Sequence, residues 1–130
     1  MSLNILVVDD SRMMRSVLIR TLHISGLPVG EVHEATNGQE GLDQLSKHWI
    51  DLALVDINMP IMDGETMIDH MRANPLTKET PVVVISTESS PERVELLKKK
   101  SAGFVHKPFT PETVRETIER VTGVNHESGV

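Results

Sequence analysis

The chain has 130 residues, enough for one domain of ordinary size and too few for a second. Asp and Glu number 19 against 13 Lys and Arg, a net charge of −6 at pH 7, so the cationic excess that draws proteins to nucleic acid or anionic membrane is missing. The absence of Cys excludes disulfides, zinc-thiolate sites and thiol catalysis, and one Trp, two Phe and no Tyr leave little for base stacking.

The elements, taken in chain order, alternate. Short β-rich runs at Asn4 to Val8, Glu31 to Ala35, Leu52 to Val55, Val82 to Ile85 and Gly103 to His106 are each followed by a stretch of helical periodicity, giving five βα units. The first run stops at Asp9 and Asp10, and Ser11 is placed to cap a helix whose buried stripe is Met14, Leu18, Thr21 and Leu22. After the second run, Asn37 with Glu40 three residues on has the spacing of a capping box, and Leu42, Leu45 and Trp49 form the stripe, with Trp49 expected to pack at its far end. Asp63-Gly64 reads as turn plus cap before Met67, Ile68 and Met71. Ser90-Pro91 precedes Val94, Leu96 and Leu97, and the run Lys98-Lys99-Lys100 is read as a solvated face that complements the helix dipole. Thr110 as cap and Pro111 in the first turn open the last helix, with Val114, Ile118 and Val121 inward and Gly123 as its stop. The domain core is expected over about residues 4–122, with 123–130 a polar tail.

Runs one, three and four are almost continuously apolar, as strands are when helices cover both faces of a parallel sheet. The second, with His33 and Glu34, is wetter and belongs at an edge. The predicted fold is therefore α/β, a doubly wound three-layer sandwich of the (βα)5 flavodoxin-like kind. The longest early apolar run, Ile5 to Val8, is far shorter than the ~20 residues of a membrane helix and follows no basic leader. With no Cys, a cytoplasmic protein is expected.

In such sheets ligands bind outside the carboxyl ends of the strands. There the sequence places Asp9 and Asp10, Asp56, Ser86 and Thr87, and Lys107 before Pro108. Two carboxylates ~5 Å apart at an effective dielectric of ~20 repel by roughly 3 kcal/mol, so such a cluster takes up protons or recruits a cation. Hard oxygen donors select Mg²⁺ over zinc. A carboxylate nucleophile, a Mg²⁺ site and a lysine point to phosphoryl chemistry. Taken singly, each residue has a plainer reading: helix dipole for Asp9 and Asp10, turn for Asp56, solvated surface for Lys107, local backbone bonding for the hydroxyls. Their coincidence on one sheet edge favours the joint reading.

Asp9-Asp10, the block from Val55 through Asp56 and Pro60 to Gly64, Pro81 to Ser86, and Phe104 to Phe109 with Lys107-Pro108 together resemble the receiver domain of two-component response regulators, particularly single-domain chemotaxis receivers. The resemblance runs from about Asn4 to Thr122. It implies strand order 2-1-3-4-5, an order the same fold class shows in a chemotaxis receiver. It implies Asp56 as phosphoacceptor from a sensor histidine kinase or phosphotransfer protein, and Mg²⁺ on Asp9, Asp10, Asp56 and the backbone carbonyl of Asn58. Lys107 would pair with Asp56 at rest, Ser86 would donate to the phosphoryl group, and Lys107-Pro108 would be a cis peptide. Ser86 and Phe104 would form the switch, with Phe104 more buried at rest than the Tyr often found there. The output face would be the fourth helix, fifth strand and fifth helix, meeting a downstream protein as monomer or phosphorylation-linked dimer. Asn58 and Glu88 flank the site as in fast-cycling relatives.

The resemblance makes the chain a signalling switch rather than an enzyme. The competing reading is a Mg²⁺-dependent aspartate-nucleophile phosphohydrolase, which wants an acid where Asn58 stands. A nucleotide or flavin binder is disfavoured because no glycine-rich phosphate loop follows any strand. The six histidines are scattered, so a histidine metal cluster is not expected, and His106, sharing strand parity with Phe104, is expected to be packed.

Overall fold

A computed structural model describes residues 2–124. The apolar runs become five parallel strands, β1 (Leu3–Val8), β2 (Val29–Ala35), β3 (Leu52–Val55), β4 (Val82–Ser86) and β5 (Gly103–His106), in the order β2-β1-β3-β4-β5. Five helices alternate with them: α1 (Arg12–Ile24), α2 (Gly38–Lys47), α3 (Gly64–Ala73), α4 (Pro91–Lys100) and α5 (Pro111–Thr122). This is the predicted doubly wound sandwich, with β2 at an edge.

Alternate residues of each strand enter different halves of the core, as the two-residue strand period requires. Ile5, Val7, Leu52, Leu54, Val83, Ile85 and Val105 pack with Leu18 and Leu22 of α1 and Val114 and Ile118 of α5. Leu6, Val8, Ala53, Val55, Val82 and Val84 pack with Met67, Ile68 and Met71 of α3 and Leu97 of α4, and Leu42 and Leu45 of α2 join that side. The central strands are thus apolar on both faces.

β2 starts two residues earlier than its β-rich run suggests. Gly30, a weak strand former, lies at a register break between Leu3 and Ile5 of β1, where the Asn4 side chain accepts from the Glu31 N–H at 2.9 Å. A Cβ at Gly30 would lie 2.5 Å from Asn4 Oδ1, so a side chain there would push the Asn4 amide out of this bond.

The caps follow the predicted chemistry with two differences. Ser11, Asn37, Asp63 and Thr110 each accept a bond from a first-turn N–H. Glu40, however, reaches back to the N–H of Thr36 rather than of Asn37, and that bond holds its carboxyl below the usual value. Ser90 stands at the start of α4 without a side-chain capping bond. Gly123 ends α5 in the left-handed region at φ 75°, as its position implies.

Trp49 and His106 depart from expectation. α2 ends at Lys47, so the apolar stripe stops short of Trp49, which is 78% exposed and donates its indole N–H to Asp51 at 2.9 Å. β5 is the other edge strand, and His106 at its carboxyl end is exposed rather than packed.

Candidate functional site

β1, β3 and β4 run parallel and in register, which delivers their last residues to one rim. Asp9 and Asp10 leave β1, Asp56 leaves β3, Ser86 ends β4, and Lys107 follows β5. The backbone ladder continues one step past the strands, with the Asp56 N–H donating to the Val8 carbonyl at 2.9 Å and the Lys107 N–H to the Ser86 carbonyl at 2.9 Å. Peptide bonding therefore fixes the roots of the cluster.

Asp9 and Asp56 are buried and Asp10 is exposed, and one carboxylate oxygen from each lies within 4.8 Å of the others. The Lys107 ammonium sits between the two buried acids, 3.2 Å from Asp9 Oδ2 and 3.5 Å from Asp56 Oδ1. Its nearer partner is Asp9, so Lys107 serves both acids rather than Asp56 alone. Asp9 is held further by the Ser11 N–H, which donates to Oδ1 at 2.9 Å, while its carbonyl accepts from Arg15 at 2.7 Å. Arg15 is itself paired with Glu34 of β2 at 2.9 Å.

Burial raises the pKa of Asp56 above the ordinary carboxylate value, Lys107 opposes the shift, and Asp9 adds to it. The pocket thus carries more negative charge than its single lysine offsets. Three carboxylates with hard oxygen donors suit Mg²⁺, and the exposed position of Asp10 leaves an open side for a phosphate. Asn58 lies exposed in the loop after Asp56, two residues on.

Ser86 is fully buried, and its Oγ accepts from the Glu88 N–H at 3.0 Å, which fastens the loop after β4. Phe104 is half-buried against the α3/α4 side of the core. The Lys107-Pro108 peptide is cis.

Some supporting residues were not singled out from the sequence. Gly64 opens α3 directly against Asp56: a Cβ there would stand 2.0 Å from the Asp56 carbonyl oxygen. The sequence marks Asp63-Gly64 as a turn and cap within the receiver-like block, and Asp63 does cap α3, but the close approach of Gly64 to Asp56 is not visible there. Between Asp56 and Gly64, Ile61 adopts a positive φ of 68° with its side chain 85% exposed. Lys100 is not merely solvated. It bonds Glu65 at 2.8 Å and Asp69 at 3.3 Å, and Arg93 bonds Glu65 at 2.9 Å, so charges tie α3 to α4. These two cations hold the Glu65 pKa below its usual value. The histidines are not all scattered either: His33 and His48 stack and meet Glu31.

Comparison with known proteins places this fold in a family. Residues 5–119 match the model of the response regulator receiver domain. The chain is 37% identical over 125 residues to chemotaxis protein CheY1 of Helicobacter pylori, covering 95% of this chain and 99% of that one. It is 33% identical over 129 residues to a CheY homologue of Campylobacter jejuni, covering 98% of each. The solved structure of chemotaxis protein CheY4 of Vibrio cholerae superposes with a TM-score of 0.82 at 35% identity, covering 93% of this chain and 99% of that one. With five βα units in receiver order, an acidic rim and a family match over most of its length, the chain belongs to the response regulator receiver family.

Proposed function

We propose that the chain works as a receiver in which Asp56 accepts a phosphoryl group and the resulting change is read by a partner protein. The observation that carries this is a buried Asp56 with its Oδ1 3.5 Å from Lys107 and acid oxygens from Asp9 and Asp10 within 4.8 Å. An Asp56 carboxylate oxygen attacks the phosphorus of a phosphohistidine on a sensor kinase or phosphotransfer protein. The P–N bond breaks, its electron pair stays on the imidazole, and an acyl phosphate forms. Lys107 faces the charge that gathers on the phosphoryl oxygens, and the Ser86 hydroxyl, at the end of neighbouring β4 on the same rim, is the second donor. Asp9, Asp10, Asp56 and the Asn58 carbonyl are the residues that would hold Mg²⁺, which supplies charge neutralisation for the transferring group. Asn58, standing where a phosphohydrolase wants its second acid, weighs against turnover of external substrates.

Transmission follows from what already restrains Ser86. Its Oγ is engaged with Glu88, so a pull toward a phosphoryl group draws the loop after β4 with it and opens space beside half-buried Phe104. The surface of α4, β5 and α5 is then the output face, and Phe104, without a hydroxyl, contributes apolar contact. Asn58 and Glu88 beside the site favour a short-lived acyl phosphate. Chemotaxis is the pathway suggested by the CheY relatives, in the cytoplasm, with the chain monomeric or dimerising on phosphorylation; among the described residues no helix is long and apolar enough to cross a membrane.

The test is nuclear magnetic resonance with Mg²⁺ and a beryllofluoride phosphoryl mimic. Signals of Ser86, Glu88, Phe104 and Lys107 are expected to move in wild type and stay in place in Asp56→Asn. An unmoved Phe104 and β4–α4 loop in the wild type would sink the switch.

A further inference from the structure

The phosphoryl pocket leaves out one cluster of metal-ligating side chains. Glu31 and His33 are two apart on β2 and so project to the same face, opposite Val32, which packs with the α1/α5 side. On the α2 side they meet His48, the residue that ends α2, whose N–H is fixed to the Gln44 carbonyl at 3.0 Å. Glu31 Oε1 and His33 Nε2 are 2.9 Å apart, the His33 and His48 rings stack with centroids 3.8 Å apart, and one ligand atom from each of the three residues lies within 4.8 Å of the others.

We propose that Glu31, His33 and His48 form a second cation site, taking a divalent transition metal of the Zn²⁺ type. Two imidazoles and one carboxylate are borderline donors that select Zn²⁺ over Mg²⁺, the reverse of the all-oxygen pocket at Asp56. Neighbouring ligands bound tetrahedrally at about 2.0–2.1 Å around one ion are about 3.3–3.4 Å apart, so the Glu31–His33 pair, now 2.9 Å apart, has to open by only about 0.5 Å. The remaining adjustment falls on the rings. They lie 16° from parallel, and lone pairs point along ring planes, so one imidazole must turn about its soft terminal torsion to share the ion. The backbones that carry the ligands are anchored, β2 in the sheet and His48 at the helix end. Three protein ligands leave a position for water or for a partner's side chain, and the bound ion would clip the edge strand to the end of α2. This site shares no residue with the Asp56 pocket and does not depend on phosphorylation.

The experiment is isothermal titration of the full chain with Zn²⁺, in the Asp56→Asn background to weaken the acidic pocket and in excess Mg²⁺ to compete for it, followed by histidine-ring ¹⁵N spectra. One equivalent of Zn²⁺ is expected to bind with the His33 and His48 rings shifting, and affinity to fall about tenfold or more in His33→Gln and in His48→Gln. Circular dichroism and Tm in chelator confirm that each variant is folded, and Glu31→Gln substitutes for any that is not. Absence of binding, undiminished affinity in the folded variants, or response only of other histidines overturns the site.

Discussion

Replacing Asp56 by Asn removes a charge that the free pocket tolerates poorly. Asp9 and Asp56 oxygens closer than 4.8 Å repel by at least about 3 kcal/mol at an effective dielectric of about 20, while Lys107 at 3.5 Å attracts Asp56 by about 5 kcal/mol. The pair terms with Lys107 and Asp9 thus favour the anion by at most about 1–2 kcal/mol, and Asp10, also within 4.8 Å, opposes it. Desolvating a buried carboxylate costs several kcal/mol, and burial is the dominant influence on Asp56, so the sum runs against ionisation. In chelator at pH 7.5, Asp56→Asn is therefore expected to be more stable than wild type, by on the order of 1–2 kcal/mol in urea unfolding followed by circular dichroism. Added Mg²⁺ reverses the order: at a hundred times its Kd a bound ion stabilises wild type by about 2.7 kcal/mol, and the variant, lacking one ligand, gains less. A variant less stable than wild type in chelator, or one that gains as much from Mg²⁺, would refute the reasoning.

Other substitutions probe the supports of the site. Gly64→Ala pushes a methyl into the Asp56 carbonyl and is expected to cost about 1–3 kcal/mol in urea unfolding and to impair phosphoryl acceptance from acetyl phosphate, whereas a silent Ala would contradict the contact. Ser86→Ala leaves the Glu88 N–H without its acceptor, with an expected loss of about 1 kcal/mol and slower phosphorylation, while Ser86→Thr retains both functions in stopped-flow and unfolding assays. Glu65→Gln removes the acid between Arg93 and Lys100. Because the folded-state pKa of Glu65 is depressed, its contribution is present above the ordinary value of 4.5 and disappears as pH falls through the folded value. Thermal scans should show a modest loss of Tm near neutral pH that closes in acid; a constant difference would assign the effect to packing.

The fold and the acidic pocket were legible because both depend on local pattern. Apolar runs in β1, β3 and β4 announce buried strands, and the next residue in each case lands on the carboxyl rim. Less visible was anything set by distant pairing. Glu31, His33 and His48 meet only because α2 packs on the edge strand, and Lys107 lies nearer Asp9 than Asp56 because of where the chain leaves β5. Trp49 and His106 followed the periodicity of elements that end before or at them, so the expected packing had no neighbour to provide it. Gly64 read as a turn residue because the tight approach to the Asp56 carbonyl belongs to the packing of α3 against β3.

The central claim is that Asp56 is the acceptor, and intact-mass spectrometry after incubation with acetyl phosphate tests it most directly. Wild type is expected to gain one phosphoryl group with Mg²⁺ and none in chelator, and Asp56→Asn to gain none in either. Uptake by the variant equal to that of wild type would contradict the assignment.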